Sequence, residues 1–186
     1  MKNTTTWVID PLHTDVQFKI KHLLISNVTG SFNKFDGKIV TNGDDFNDAK
    51  VTFEIDVKSI DTNQAQRDQH LQNGDFFAAD LYPTITFAST SFVNTGGSDY
   101  KMGGNLTLRG VTKPITLDVE YGGSQNSGQG VLKHGFEITG IINRIEFGMT
   151  WNILTDTGGL GLGENIKLIA NIQVSELVEE EIEIKA

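Results

Sequence analysis

The run V-T-F-E-I-D-V-K-S-I-D-T-N-Q-A-Q-R-D-Q-H-L-Q-N-G-D-F-F-A-A-D-L-Y-P-T-I-T-F, Val51 to Phe87, contains two kinds of text. In its first part Val51, Phe53, Ile55 and Val57 alternate with Thr52, Glu54 and Asp56. A period of two describes an antiparallel strand with one buried and one wet face. From Asp61 to Pro83 the alternation stops. Asp61 can cap a helix, with Gln64 three residues on reaching back, and Asn73-Gly74 supplies a stop. The spacing predicts one short helix around residues 61–73. Its apolar residues are few (Ile60, Ala65 and Leu71), so it gains little from packing. Arg67, His70 and Leu71 share a face. Two readings stay open: that face meets something specific, or Arg67 and Asp68 are solvated on a surface helix.

The alternation recurs on both sides of this stretch. Val16, Phe18 and Ile20, then Ile115, Leu117, Val119 and Tyr121, then Leu168, Ala170, Ile172 and Val174 each take every second position. Residues 29–41, 84–93, 100–109, 131–142 and 147–154 read as less regular strands. Gly30 and Gly37 suggest a bend in the first, and the change of parity before Phe92 suggests a bulge in the second. Turn chemistry punctuates the chain at Asn42–Asp45, Gly96–Asp99, Arg109-Gly110 and Gly122–Gly130. Roughly eight to ten strands fit one antiparallel sandwich or barrel over residues 1–175. A barrel of about eight either fills with side chains or holds one small ligand.

Composition narrows the function classes. The 186 residues carry a formal net charge of −9, which disfavours nucleic-acid partners and electrostatic docking on an anionic membrane. With no cysteine, disulfide and thiol chemistry are excluded. No apolar run approaches the roughly 20 residues of a membrane helix, so stable insertion is not expected. The polar start from Met1 to Trp7 lacks the apolar core of a signal peptide. The expectation is a cytoplasmic protein, or a periplasmic one if a leader has been removed. Residues 176–186 form an acidic tail, read as solvated, although Glu181–Ile184 leaves room for an edge strand or a homodimer contact.

Tests for catalysis return little. His13, His22, His70 and His134 show no metal-ligand spacing, so no metal and no cofactor is expected. There is no nucleophile elbow, and Gly158–Gly163 reads as a glycine-rich hairpin rather than a nucleotide loop. Eleven phenylalanines are spread over the chain. They can fill a core or wall an apolar ligand.

Several ordered strings resemble the YceI-like family of polyisoprenoid-binding proteins. They are W-V-I-D-P-L-H-T-D-V-Q-F-K-I-K-H from Trp7, G-S-F-N-K-F-D-G from Gly30, the Ser59–Phe87 segment, G-N-L-T-L-R-G-V-T-K-P-I-T-L from Gly104, G-F-E-I-T-G-I-I-N-R-I-E-F-G-M from Gly135, and L-G-E-N-I-K-L-I-A-N-I from Leu162. Leu162 and Asn165 depart slightly from the family's V-G-D-E-V string, and the tail after Glu176 is additional.

The resemblance implies an all-β fold, an extended antiparallel lipocalin-like barrel of about eight strands with the short helix near its opening. It implies non-enzymatic binding, transport or storage of a long isoprenoid lipid of polyprenyl phosphate or quinone type. On that view Arg67, His70, Asp68 and His22 stand at the mouth, facing the head group. Phe18, Phe32, Phe53, Ile55, Leu71 and Phe76 line the tail's path, together with Phe77, Ile85, Phe87, Phe147 and Met149. Pairing of His22, Arg109 and Arg144 with Asp68, Asp75 or Glu146 is an equally good account of those residues. Two rivals remain: an enzyme on such a lipid with His70 as acid or base, and a barrel filled by its own side chains that acts as a stress-response or interaction module.

Overall fold

A computed structural model describes residues 4–43 and 45–178. Among the described residues eleven strands are arranged as eight staves. β1 (Thr4–Ile9) and β2 (Asp15–His22) are two halves of the first, and β3 (Ser26–Phe32) and β4 (Phe35–Asn42) of the second. β5 (Lys50–Asp56) and β6 (Ile60–Asp61) form the third, interrupted by a 3-10 turn at Val57–Ser59. Helix α1 (Ala65–Gln72) follows, then β7 (Thr84–Gly96), β8 (Asp99–Leu108), β9 (Val111–Asn126), β10 (Leu132–Asn143) and β11 (Leu162–Glu176). Each stave pairs antiparallel with its neighbours in the chain. β11 closes the ring by taking β1 over Val174–Glu176 and β2 over Leu162–Asn171. The expected lipocalin-like barrel is present, closed where the last stave meets the first.

The break in the first stave has a local cause. Pro11 cannot donate to a ladder, and the Asp10 carboxylate instead accepts from Leu12 N at 3.1 Å. The same carboxylate takes Lys133 Nζ at 2.8 Å and Gln173 Nε2 at 3.0 Å, so it fastens the break to β10 and β11.

Four expectations are corrected. The helix cap is Gln64, whose side chain accepts from Arg67 N; Asp61 accepts from Asn63 N in the turn before it. Gly30 and Gly37 do not break their stave, whose interruption falls at Asn33-Lys34. They stand opposite Phe18 and Phe53, and a Cβ on Gly30 falls 2.4 Å from the Phe18 ring. The glycine lets the ring lie across the neighbouring strand. The turn expected at Gly122–Gly130 is shorter, because β9 continues to Asn126 and absorbs a bulge opposite Gly135/Phe136. Residues 147–154 form no strand. A 3-10 turn at Arg144–Phe147 ends at Gly148 with φ 79°, and the Arg144 side chain then takes the carbonyls of Met149 and Trp151. Those oxygens are satisfied without a ladder. The bulge expected before Phe92 is present at Ser89/Ser91. Of the acidic tail, residues 179–186 lie outside the described residues.

One end of the barrel is sealed. Phe46, on the β4–β5 loop, folds over it, with its ring centroid 4.9 Å from both His134 and Phe136. Trp7 meets His134 edge to face at 4.4 Å and donates Nε1–H to Thr41 Oγ1 at 3.2 Å.

Candidate functional site

Inward positions set by the period of two enclose a cavity of about 400 Å³, within the range of small-molecule sites. The interior is hollow, not plugged by its phenylalanines. The lining runs from Phe92, Val119 and Phe136 near the seal to Leu71, Phe76 and Trp151 at the opposite end. There it reaches the surface, where Arg67 and Ile153 are both exposed and also line the cavity.

The structure brings most of the expected residues to this wall. Phe18, Phe32, Phe53, Ile55, Leu71 and Phe76 line it, as do Phe77, Ile85, Phe87 and Met149. Phe147 is 1% exposed and buried in the core but forms no part of the lining. Leu106, Leu117, Ile138, Leu168 and Ile172 belong to the wall as well. Parity marks several of them in the sequence, since Leu117 shares a face with Val119, and Leu168 with Ile172.

At the open end, α1 presents Arg67 and His70 to the cavity. Arg67 donates Nε–H to Thr62 Oγ1 at 2.7 Å and one Nη to Thr62 O at 2.6 Å. Asp68 lies outside the lining, and its carboxylate accepts from Thr62 N at 2.9 Å and from Thr62 Oγ1 at 2.5 Å. Thr62 is itself buried, so Asp68 anchors the helix to the barrel rather than facing the mouth. That anchorage explains how a helix so poor in apolar residues holds its place. His70 Nε2 lies 2.8 Å from Asp75 Oδ2, and its ring meets Trp151 edge to face at 4.7 Å and Phe76 at 5.1 Å. His22, at the end of β2 opposite Leu162, and Arg144 add to the polar part of the lining, which elsewhere includes Gln17, Lys38 and Thr52.

Arg144 is 1% exposed and ion-pairs with no carboxylate among the described residues. It donates Nε–H to Gly163 O at 2.7 Å and Nη1–H to Trp151 O at 2.8 Å and to Met149 O, with a longer contact to Leu162 O. Burial lowers its pKa below the ordinary arginine value, while the charge of Glu164 works the other way. The guanidinium thus holds the segment that frames the mouth. Arg109 likewise takes a backbone partner, donating to Phe76 O at 2.6 Å. Among the described residues the alternative pairings of His22, Arg109 and Arg144 with Asp68, Asp75 or Glu146 do not form; for the two arginines, carbonyls, invisible to residue-type reasoning, take the donors.

Among the described residues no group of three or more His, Asp or Glu side chains gathers as metal ligands, and no helix is long and apolar enough to cross a membrane.

Comparison with known proteins places this geometry. The chain is 39% identical over 172 residues to the UPF0312 protein of Staphylococcus aureus strain USA300, covering 92% of this chain and 98% of the relative. A solved structure of the Campylobacter jejuni YCEI protein superposes with TM-score 0.70 at 36% identity, covering 91% of this chain and 97% of that one. Burkholderia cenocepacia BcnA superposes with TM-score 0.77 at 21% identity, covering 89% and 98%, and shares the fold. So does a Saccharophagus degradans domain described as polyisoprenoid binding, with TM-score 0.67 at 16% identity, covering 92% and 98%. The YceI-like domain profile matches residues 7–174, from the first tryptophan to the strand that closes the ring, and the chain belongs to that family.

Proposed function

We propose that this protein binds a long isoprenoid lipid of polyprenyl phosphate or quinone type and serves as its carrier or reservoir, without transforming it. The observation that carries this reading is the hollow barrel itself. Its wall is almost wholly apolar, sealed at one end, with Arg67, His70, His22 and Arg144 gathered toward the other. A chain lies in such a space with its tail toward Phe46 and its head at α1. The polyisoprenoid-binding description of the Saccharophagus degradans domain agrees with this reading, although its likeness is one of fold.

Magnitudes favour the tail. Burying ten methylenes contributes about 8 kcal/mol, near micromolar affinity before entropic losses. A charged hydrogen bond adds about 1.5–3 kcal/mol. The wall sets affinity, and the mouth sets which head is accepted. Native mass spectrometry against polyprenols and polyprenyl phosphates of one chain length tests this. Arg67→Ala is expected to reduce the preference for phosphate while leaving polyprenol uptake within about threefold. Equal loss for both heads contradicts the assignment, and no uptake of either contradicts the function.

The His70–Asp75 pair favours a second reading, acid–base chemistry on the bound lipid, because a carboxylate at 2.8 Å orients an imidazole. A lipid mass that changes on incubation with wild type and not with His70→Gln is the result that establishes it.

A further inference from the structure

Around the mouth stands a set of exposed apolar side chains that the binding cavity does not use. The turn between β2 and β3 consists of Leu23, Leu24 and Ile25, which are 41%, 76% and 84% exposed. His22 O accepts from Ile25 N at 3.3 Å across Leu23 and Leu24, whose φ angles are 52° and 61°. Two successive positive φ values are the province of Asn and Gly in a tight hairpin. Here two leucines hold that conformation, Leu24 with its side chain largely in water. Neither turn stability nor core packing accounts for them.

The tip is continuous with the loop held by Arg144. Leu23 N donates to Gly161 O at 2.7 Å, and a Cβ on Gly161 falls 3.3 Å from Ile153 Cβ and 3.5 Å from Leu23 Cδ2. Leu154 and Leu160, bridged to each other, extend the surface at 73% and 44% exposure. Ile153, Gly161 and Leu162 also line the cavity, so the exposed rim and the oily interior form one apolar surface.

Charge beside the rim has an order that the net value of −9 conceals. Lys19 on β2 sits directly opposite Lys167 on β11, and Lys21 follows beside Gly163. None of the three has a carboxylate within salt-bridge distance among the described residues; in the chain the nearest acid is Asp15 for Lys19 and Lys21, and Glu164 for Lys167. Like charges facing each other across strands cost stability. At the sealed end the charge is acidic, with Asp45, Asp48, Asp99 and Glu120 on or beside the loops there. The mouth carries acids as well, among them Asp75, Asp156 and Glu164, but there Lys19, Lys21, Arg67 and Lys167 stand beside the apolar rim.

From these features we propose that the mouth docks on a lipid bilayer bearing anionic head groups, with Leu24, Ile25 and Leu154 entering the interface and Lys19, Lys21 and Lys167 meeting the head groups. The proposal rests on the lipid-binding reading, because a ligand of low solubility is exchanged where it is dissolved, and the docked rim joins the cavity to the acyl region without a crossing of water. A second copy is the less suitable occupant, since it brings the same three lysines into the seam.

The test is co-sedimentation of the full chain with phosphatidylcholine vesicles, with and without phosphatidylglycerol. Wild type is expected to bind both, more tightly when phosphatidylglycerol is present and less so in high salt. Leu24→Gly/Ile25→Thr relieves one strained position, so its melting temperature is expected to hold or rise while vesicle binding falls about tenfold or more. Lys19→Gln/Lys167→Gln is expected to lose about fivefold per lysine on the anionic vesicles only. Wild type that fails to sediment, or a rim variant that sediments like wild type, overturns the proposal. So does a wild type that dimerises without vesicles and becomes monomeric in the rim variant. Lipid uptake from solution, read separately by native mass spectrometry, judges the proposed function, and the rim variant is expected to retain it.

Discussion

Both ends of the barrel carry a histidine set among aromatic rings, and the two behave as opposites. At the seal, His134 is buried against Trp7 and Phe46, with Nδ1 2.8 Å from Tyr121 Oη and Nε2 without any partner. At the mouth, His70 lies against Phe76 and Trp151 with Nε2 on Asp75, and both side chains remain partly in water. The same residue types make a plug in one place and a gate in the other. What differs is the backbone that brings them together. The seal is drawn from paired strands and a loop folded inward, whereas the gate is drawn from α1 and two segments that pair with no strand.

The comparison is tested most severely by removing a ring from each end. Phe46→Ala is expected to cost about 3–5 kcal/mol in urea unfolding, because a ring buried among four others leaves a void. Trp151→Ala, half-buried at the mouth, is expected to cost less than about half as much while altering lipid uptake. Equal losses erase the distinction between plug and gate.

Arg144→Met probes the gate's frame, since it strands several carbonyls in a buried site, at about 3 kcal/mol. The expected signature is faster proteolysis between residues 148 and 161 with the seal intact. Cleavage spread over the chain contradicts a local role.

A smaller effect concerns the fastening at Asp10. The hydrogen bond from Lys133 is the main cause that lowers its pKa from 3.8 to about 2. A depressed carboxylate stabilises the fold above its unfolded value and loses that contribution as pH falls through the folded one. Asp10→Asn is expected to cost about 2 kcal/mol at neutral pH and to flatten the decline of stability below pH 4.

The smallest effect is the proton at the seal. Burial lowers the pKa of His134 below its ordinary 6.5, so the unfolded chain binds the proton more readily. Stability is then full above that value and is lost as pH falls below it. His134→Gln, neutral throughout and able to meet Tyr121, is expected to remove this acid slope from a pH series of melting temperatures.

What the sequence made legible follows the same division. The strands that form the wall announce themselves, because a stave with one face in water must alternate, and Val51–Val57 and Leu168–Val174 do so without interruption. The bulge near Phe92 is still local and is signalled by parity; the break at Asp10 is local too, but the strand pattern passes over it. The gate is not local. Phe147 and Met149 alternate like a strand, but the Arg144 guanidinium takes the carbonyls that a strand would offer its neighbour. Asp68 shares a helix with Arg67, yet Thr62 draws it away from the opening. Residue types advertise charge and oiliness; they say nothing of which backbone oxygen will be nearby.

The ring of staves follows chain order everywhere except at its seam, where β11 meets β1 and β2. During synthesis the first stave leaves the ribosome early and its partner last, so the growing chain is an open trough whose two rims wait for each other. The step that shuts the tube falls to Leu162–Glu176, and until then the greasy channel is bare to every chaperone and every passing lipid.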